Sequence, residues 1–433
     1  MLIPVSSACA EGRLGKESVA HMSSSNTVLA GLASELGWLR ETYTHLHRHP
    51  ELSRAEHGTS KLVEEELAAF GYTVTRLGGT GVVGVLANGA GPVVLARADM
   101  DALPVAEATG LSYASEVNGV MHACGHDVHT STLLGAAKLM ADGHAAWSGT
   151  YIALFQPAEE VGAGSQAMVD DGLVSKVARP DVALAQHVMP FPAGTLATTP
   201  GPVLSAGDSL KITVHGKGAH GSMPHMAVDP VVLAASIVLR LQTIVSRETR
   251  PGDFAVVTVG ALNAGATSNI IPDRATLLLN IRSYDDGVRA SVLSAIERIV
   301  RGECAAAGSP QDPDFEYYDQ FPLTSNDEAV TERVTRAFTR HFGVDAVGRA
   351  TPQTASEDFS RIPDAFGVPY TFWLLGGVDP ATYGAAVAKG TVAQDIPGNH
   401  SPFFAPEIDP TLSMGVQAQV VAALSYLTAE AQS

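Results

Sequence analysis

Residues 121–131 read MHACGHDVHTS and place Cys124, His126, Asp127 and His129 within six positions, with His122 just ahead of them. A thiolate and an imidazole are borderline-soft donors that suit Zn, Co, Ni or Mn(II) in company with oxygen ligands. A thiol beside histidines is also the pattern of a nucleophile with its base, Cys124 with His126 or His129. A third reading is plain core, since free cysteine is among the most buried residue types. Two donors do not close a metal site, so the first reading requires further ligands elsewhere in the chain.

Three stretches offer them. FQPAEE puts Glu159 and Glu160 side by side after the apolar run YIALF, and neighbouring carboxylates are costly to bury unless a cation or a proton compensates them. Metallohydrolases divide such a pair: one carboxylate ligates, the other takes a proton from the attacking water. His187 ends the apolar run of ALAQHVMP, and His400 sits in the Gly/Pro-punctuated PGNHSPFF. Cys124, His126, Glu160, His187 and His400 together are enough donors for two metals sharing a bridging group. Further on, HGKGAHGSMPH places His220 in a Gly-rich turn, and Asn269 (ATSNIIPD) and Arg282 (LLNIRSYD) fall on or beside neighbouring strands. An Arg with an amide nearby can hold a substrate carboxylate; the alternatives are that Arg282 pairs with Asp285 or Asp286 and that Asn269 caps a turn.

The elements that would position these residues are legible from periodicity. Asn26–His47 and TSKLVEEELAAFG read as amphipathic helices, and YTVTRL, GVVGVLANG and GPVVLARADMDA as strands bounded by Gly and Pro. The helix TSTLLGAAKLM, strand GTYIALFQPAEE, helix SQAMVDDG and strand DVALAQHV follow. Alternating strands and helices indicate an α/β layer architecture, a mixed central sheet covered by helices, with the candidate ligands at the ends of its elements where open α/β sheets bind. Between residues 205 and 321 the order becomes βαββαβ, a ferredoxin-like α+β unit. It reads as an insertion that splits the first domain into 26–204 and 322–433, behind a disordered leader, 1–25, or an upstream extension of a start at Met22.

Composition bounds the partners. Of 433 residues, 45% are hydrophobic and 17% charged, and a formal charge of −18 repels phosphate backbones and anionic membranes. Nucleic acid and membrane are therefore not expected. Three cysteines, Cys9, Cys124 and Cys304, argue against a disulfide framework and for a reducing, cytoplasmic setting.

The ordered motifs HRHPELSRAE, RADMDALPV, MHACGHDVHTS, FQPAEE, GAHGSMPH, SNIIPDRATLLLNIR, SEDFS and NHSPFF resemble those of the metallo-aminoacylase and carboxypeptidase superfamily. They are most similar to its amidohydrolase branch of hippurate hydrolases, N-acyl-amino-acid amidohydrolases and indole-acetyl-amino-acid hydrolases. The resemblance implies a zinc-exopeptidase-like catalytic domain and a binuclear centre of Zn, Mn, Co or Ni bound by Cys124, His126, Glu160, His187 and His400. It implies Glu159 as general base, His220 as oxyanion donor, often from the partner subunit, and Asn269 and Arg282 as the carboxylate site. The insertion then becomes a lid and the surface of a homodimer or homotetramer. The reaction expected is cleavage of an N-acyl amino acid to a carboxylic acid and a free amino acid, with a metallo-carboxypeptidase or dipeptidase as the alternative and a thiol amidase using Cys124 as a lesser one. Two residues depart from the pattern: Arg97 stands where the peptidase branches carry a metal-binding His, and Val161 where Gly is usual. His122 and His129 fall to supporting or structural roles.

Overall fold

The computed structural model describes residues 24–427, together with the two-residue strand Ile3–Pro4. The chain divides into two compact units, one of Met1–Val203, Ser325–Thr351 and Asp358–Ser433, the other of Leu204–Thr324 with Pro352–Glu357. The sequence-based bounds leave Pro352–Glu357 in the first domain. Within the expected disordered leader, Ile3 and Pro4 pair with Arg349 and Gly348 and Ser24 and Ser25 are already helical, which corrects that expectation at these positions; the rest of the leader lies outside the described residues.

The first unit is built on a nine-stranded sheet. In spatial order its strands are Ile3–Pro4, Val347–Arg349, Leu196–Thr198, Tyr370–Val378, Val182–Pro192, Val93–Asp99, Gly149–Gln156, Gly81–Asn88 and Thr73–Leu77. Tyr370–Val378, Val182–Pro192, Val93–Asp99 and Gly149–Gln156 run parallel, whereas Gly81–Asn88 and Thr73–Leu77 close one edge antiparallel. The inner strands are apolar almost throughout because helices cover them; buried on both faces, they have no solvent side to mark with polar alternation.

The helix His126–Asp142 crosses Ile408–Leu427 within the same core, where Leu133, Leu134 and Met140 join Val416, Val420 and Leu424. Small residues set the approach: a Cβ on Gly135 would lie 2.7 Å from Val416 Cγ2, and one on Gly415 2.7 Å from Thr132 Cγ2. The parallel register then decides where chemistry can sit. Asp99 pairs with Gln156, and Arg97 pairs with Ala185, two residues before His187. The residues following these strands therefore emerge together at one edge.

The second unit is an antiparallel sheet in the order Ala255–Ala264, Arg274–Ser283, Ala206–His215, Asp314–Phe321. The connections run strand, helix, strand, strand, helix, strand, with helices Pro230–Thr243 and Asp286–Ala307. Burial alternates strictly along Arg274–Ser283, as expected of a sheet with helices on one face only. Leu277, Leu279, Ile281, Ile237, Leu241 and Ile296 form its own core. Asp229 and Asp285 cap the two helices through Val231 N and Val288 N, at 2.9 and 2.8 Å.

Candidate metal centre

Cys124 and His126 flank Gly125, whose φ of +87° is open to glycine alone at low energy. A Cβ there would also lie 2.3 Å from Val188 Cγ1, so the glycine lets the Cys–His turn press against the end of the neighbouring strand. His126 starts its helix and is fully buried. Cys124 Sγ lies 3.5 Å from His187 Nε2. On the far side of that ring, Nδ1 donates to the Val188 carbonyl at 2.8 Å, which leaves Nε2 as a lone pair facing the sulfur.

The Glu pair enters from the turn after Gly149–Gln156. Ala158 adopts φ +48°, an uncommon conformation for a residue with a Cβ, and its N–H is held by Glu56 Oε1 at 2.8 Å. The next two amides, Glu159 N and Glu160 N, both donate to the carboxylate of Asp101 at 3.1 Å. Glu160 is thereby brought 3.8 Å from His126 Nε2 and 3.3 Å from His400 Nε2, while Glu159 Oε2 stands 3.9 Å from His126 Nε2.

His400 arrives on a loop with φ +69°, anchored by its own N–H to the Ala123 carbonyl at 2.8 Å. Asn399 ties the same loop to the Cys124 and Val188 carbonyls at 3.1 and 3.2 Å. The structure thus brings Cys124, His126, Glu159, Glu160, His187 and His400 to one place from segments hundreds of residues apart.

The donor chemistry fits divalent cations. Among the described residues, His126 Nε2 and Glu160 Oε1 are buried without a hydrogen-bond partner, while His126 Nδ1 faces Asp101 Oδ1 at 3.3 Å. Three of the sets whose donor atoms lie within 4.8 Å of one another overlap on the expected ligands: Cys124, His126 and His187; Cys124, Glu160 and His400; His126, Glu159 and Glu160. Because Cys124, His126 and Glu160 each belong to two sets, the group can hold two ions. Burial, and then Glu160, push the Cys124 thiol well above its usual range. Burial also drives Glu160 up to about 7, with Asp101 and Asp99 adding to it against the opposing pull of His126. Desolvation outweighs the pull of the helix N-terminus that follows Cys124, so the protein alone leaves Cys124 protonated and weak as a free nucleophile. A divalent cation reverses both shifts, because it favours thiolate and carboxylate together.

Around these donors lies a buried polar layer, in which sequence reasoning singled out His129, Arg97 and Asp127 but not Asp99 or His47. His129 accepts from Val188 N at 2.8 Å and donates to Asp99 Oδ1 at 2.5 Å, so neither ring nitrogen is left for a metal. Arg97, fully buried, donates to Asp99 Oδ2 at 2.7 Å and approaches Asp358 Oδ1 to 3.6 Å. At the position where the resemblance implies a metal-binding His in the peptidase branches, this chain has a fixed cation. Burial opposes the charge on Asp99, but Arg97, His126 and His129 outweigh it and hold the carboxyl well below the usual range. Asp127 pairs with His47 Nδ1 at 2.6 Å, and His47 Nε2 faces Glu107 at 3.3 Å. The closely spaced acids of RADMD were a usable signal, since Asp99 and Asp101 end an apolar strand.

The remaining candidates lie in the second unit. His220 is exposed on the two-residue strand Ala219–His220, paired with Ile270–Ile271, so Asn269 adjoins it on the same ribbon. His220 Nδ1 meets Ser222 Oγ at 2.7 Å. Arg282 sits instead on the central strand Arg274–Ser283, and among the described residues it makes no ion pair with Asp285 or Asp286.

Residues 95–389 match the family model described as peptidase family M20/M25/M40. The chain is 35% identical over 395 residues to thermostable carboxypeptidase 1 of Saccharolobus solfataricus, spanning 90% of this chain and 95% of that protein. It is 39% identical over 333 residues to the hippurate hydrolase of Campylobacter jejuni, spanning 76% and 85%. A solved structure from Bacillus subtilis, the YxeP protein described as a dinuclear metal binding peptidase from the M20 family, superposes with a TM-score of 0.73 at 28% identity, over 90% of this chain and 98% of that one. Sequence, fold and donor set agree: the chain belongs to peptidase family M20/M25/M40 and is a metal-dependent amidohydrolase.

Proposed function

We propose that the protein hydrolyses the amide bond of N-acyl amino acids, releasing a carboxylic acid and a free amino acid. The observation that carries this reading is the convergence of Cys124, His126, Glu160, His187 and His400 with the second carboxylate, Glu159, beside them. Two divalent ions bound there would supply Lewis acidity, polarising the scissile carbonyl and acidifying water. Glu159 takes the proton from the attacking water and returns it to the leaving amine. His220 donates to the oxyanion, and Asn269 and Arg282 hold the carboxylate of the amino-acid half. The similarity to the hippurate hydrolase supports an N-acyl amino acid substrate. The likeness to a thermostable carboxypeptidase favours short peptides as the second reading.

The same proposal extends to assembly and compartment. The helix Pro230–Thr243 exposes Val232 at 63% and Leu239 at 74%, an apolar face suited to a homodimer or homotetramer through the second unit. Cys124 and Cys304 are both free and buried, in keeping with a reducing, cytoplasmic setting.

The test is a panel of acetyl, benzoyl, indole-acetyl and fatty-acyl amino acids, assayed after chelation and after return of Zn(II), Mn(II), Co(II) or Ni(II). Turnover is expected to vanish with EDTA and recover with metal, and Glu159→Ala to abolish it with metal content nearly intact. Chelator-insensitive, alkylation-sensitive turnover would instead place the chemistry on the Cys124 thiol.

A further inference from the structure

The motif SEDFS, residues 356–360, has no part in the reaction as described so far. Its first residue belongs to Pro352–Glu357, the segment that rejoins the second unit from beyond the insertion. That segment is laid along the start of the strand Ala206–His215: Ser205 N donates to the Ala355 carbonyl at 2.8 Å, and Ser205 Oγ to the Thr354 carbonyl at 2.9 Å. Leu204 and Gln353 add a parallel bridge. The Ser356 hydroxyl is thereby set beside Arg282. It accepts a hydrogen bond from Nη1 and donates one to the Ser205 carbonyl at 2.8 Å.

Arg282 is gripped at a second point, where Nε donates to Asn280 Oδ1 at 2.9 Å. Opposite it in register is Gly207, and a Cβ there would lie 2.7 Å from both Arg282 Nη1 and Ser356 Oγ, so the missing side chain makes room for the contact. Both acceptors are neutral. The nearby carboxylate, Asp208, is occupied by Arg289 at 2.7 and 2.8 Å and by Gln320 at 2.9 Å. Among the described residues, Arg282 therefore has no ion-pair partner of its own, and Asp208 acts on it only from a distance. Its Nε and one Nη1 proton are committed, and the rest of the fork, the second Nη1 proton and both on Nη2, matches a carboxylate in bidentate geometry.

We propose that Ser356 is a positioning residue for substrate selection, fixing the guanidinium plane of Arg282 so that its Nη1–Nη2 end receives the carboxylate of the substrate. The proposal rests on the reading of Arg282 as the carboxylate anchor. Without Ser356 the guanidinium turns about its last bonds, and the bidentate pair weakens while the reacting amide is untouched. KM changes and kcat does not.

The experiment compares the best substrate of the N-acyl amino acid panel with its carboxamide, using metal-loaded enzyme. Ser356→Ala is expected to raise KM for the acid about tenfold, the size of one charge-assisted hydrogen bond, with kcat within about twofold and the carboxamide unaffected. Ser356→Thr restores the hydroxyl and should restore KM. Gly207→Ala pushes the same two groups apart and should reproduce the loss, so the inference does not hang on one variant. Arg282→Met should erase the preference for acid over carboxamide. If Arg282→Met erases it while Ser356→Ala leaves KM unchanged, or raises KM for acid and carboxamide alike, the positioning role is overturned and the Arg282 reading stands. If Arg282→Met leaves the preference intact, the Arg282 reading itself falls.

Discussion

Replacing Asp101 by Asn tests whether the catalytic carboxylates are aimed through their own backbone. Asp101 touches no substrate, yet its Oδ1 accepts Glu159 N and its Oδ2 accepts Glu160 N, each at 3.1 Å, and Oδ2 also accepts Ser53 Oγ at 2.6 Å. An amide is nearly isosteric but offers one acceptor where two are used. Whichever way it turns, its NH2 faces a backbone N–H, so one buried donor is stranded and the other bond loses its charge. At about 1 to 3 kcal/mol for a stranded group, the substitution should remove about 2 to 3 kcal/mol of stability. Displacement of Glu159 and Glu160 should also lower kcat/KM about a hundredfold, as expected when reacting groups shift by about 1 Å.

The pH dependence has a definite sign. Burial works against ionisation of Asp101, but His126, Ser53 and the Glu160 amide outweigh it and hold the carboxyl below its usual 3.8. A depressed carboxyl stabilises the fold fully above the unfolded value and loses that contribution as pH falls through the folded one. The deficit of Asp101→Asn is thus complete at neutral pH and closes below about pH 4. Urea denaturation across pH, with metal content and kcat/KM at pH 7, measures all three effects. Wild-type stability and kcat/KM within about threefold at pH 7 would refute the idea that this carboxylate aims the pair.

Three further outcomes follow from the same structure. Arg97→Met leaves Asp99 and Asp358 buried without their cation, and urea denaturation should register a loss of about 3 to 5 kcal/mol. Gly135→Ala forces a methyl group to 2.7 Å from Val416 at the crossing of two core helices, and calorimetry should show about 1 to 3 kcal/mol of destabilisation with substrate preference unchanged. Metal removal should lower the melting temperature in a way that depends on the concentration of metal returned, since ions that bind only the folded chain stabilise it by mass action; Cys124→Ala should weaken that dependence more than Glu159→Ala.

Much of the site was readable before any fold was known. Metal-ligand chemistry is confined to few residue types, and in this chain those types cluster beside strand ends marked by apolar runs, as in YIALF before Glu159 and ALAQ before His187. The supporting layer was readable only in outline, as acids near a strand end and a histidine set aside for support, without the partners they hold. Asp101 looks like any acid in a strand-end turn, and its importance lies in two backbone amides 58 and 59 residues away. The pairing of His129 with Asp99 and Val188 is equally silent in the chain, and without it His129 is as good a ligand as His126. Short elements were missed for another reason. The strands Leu196–Thr198 and Val347–Arg349 have only three residues each, too few for a period to register, and they exist because the neighbouring sheet edge offers them partners.

The sequence by itself determined which side chains can bind metal or move a proton, and the alternation that sets a parallel sheet apart from the βαββαβ insertion. Both are local properties, written in residue type and in periods of two and 3.6. The tertiary structure alone decided which donors share a place, which histidine is spent on a hydrogen bond, and which segment returns to hold Arg282. Those outcomes depend on strand register, on glycines such as Gly125 and Gly207 that admit close contacts, and on burial. Burial gives a carboxylate or thiol in a desolvated cluster a chemistry it lacks in a peptide.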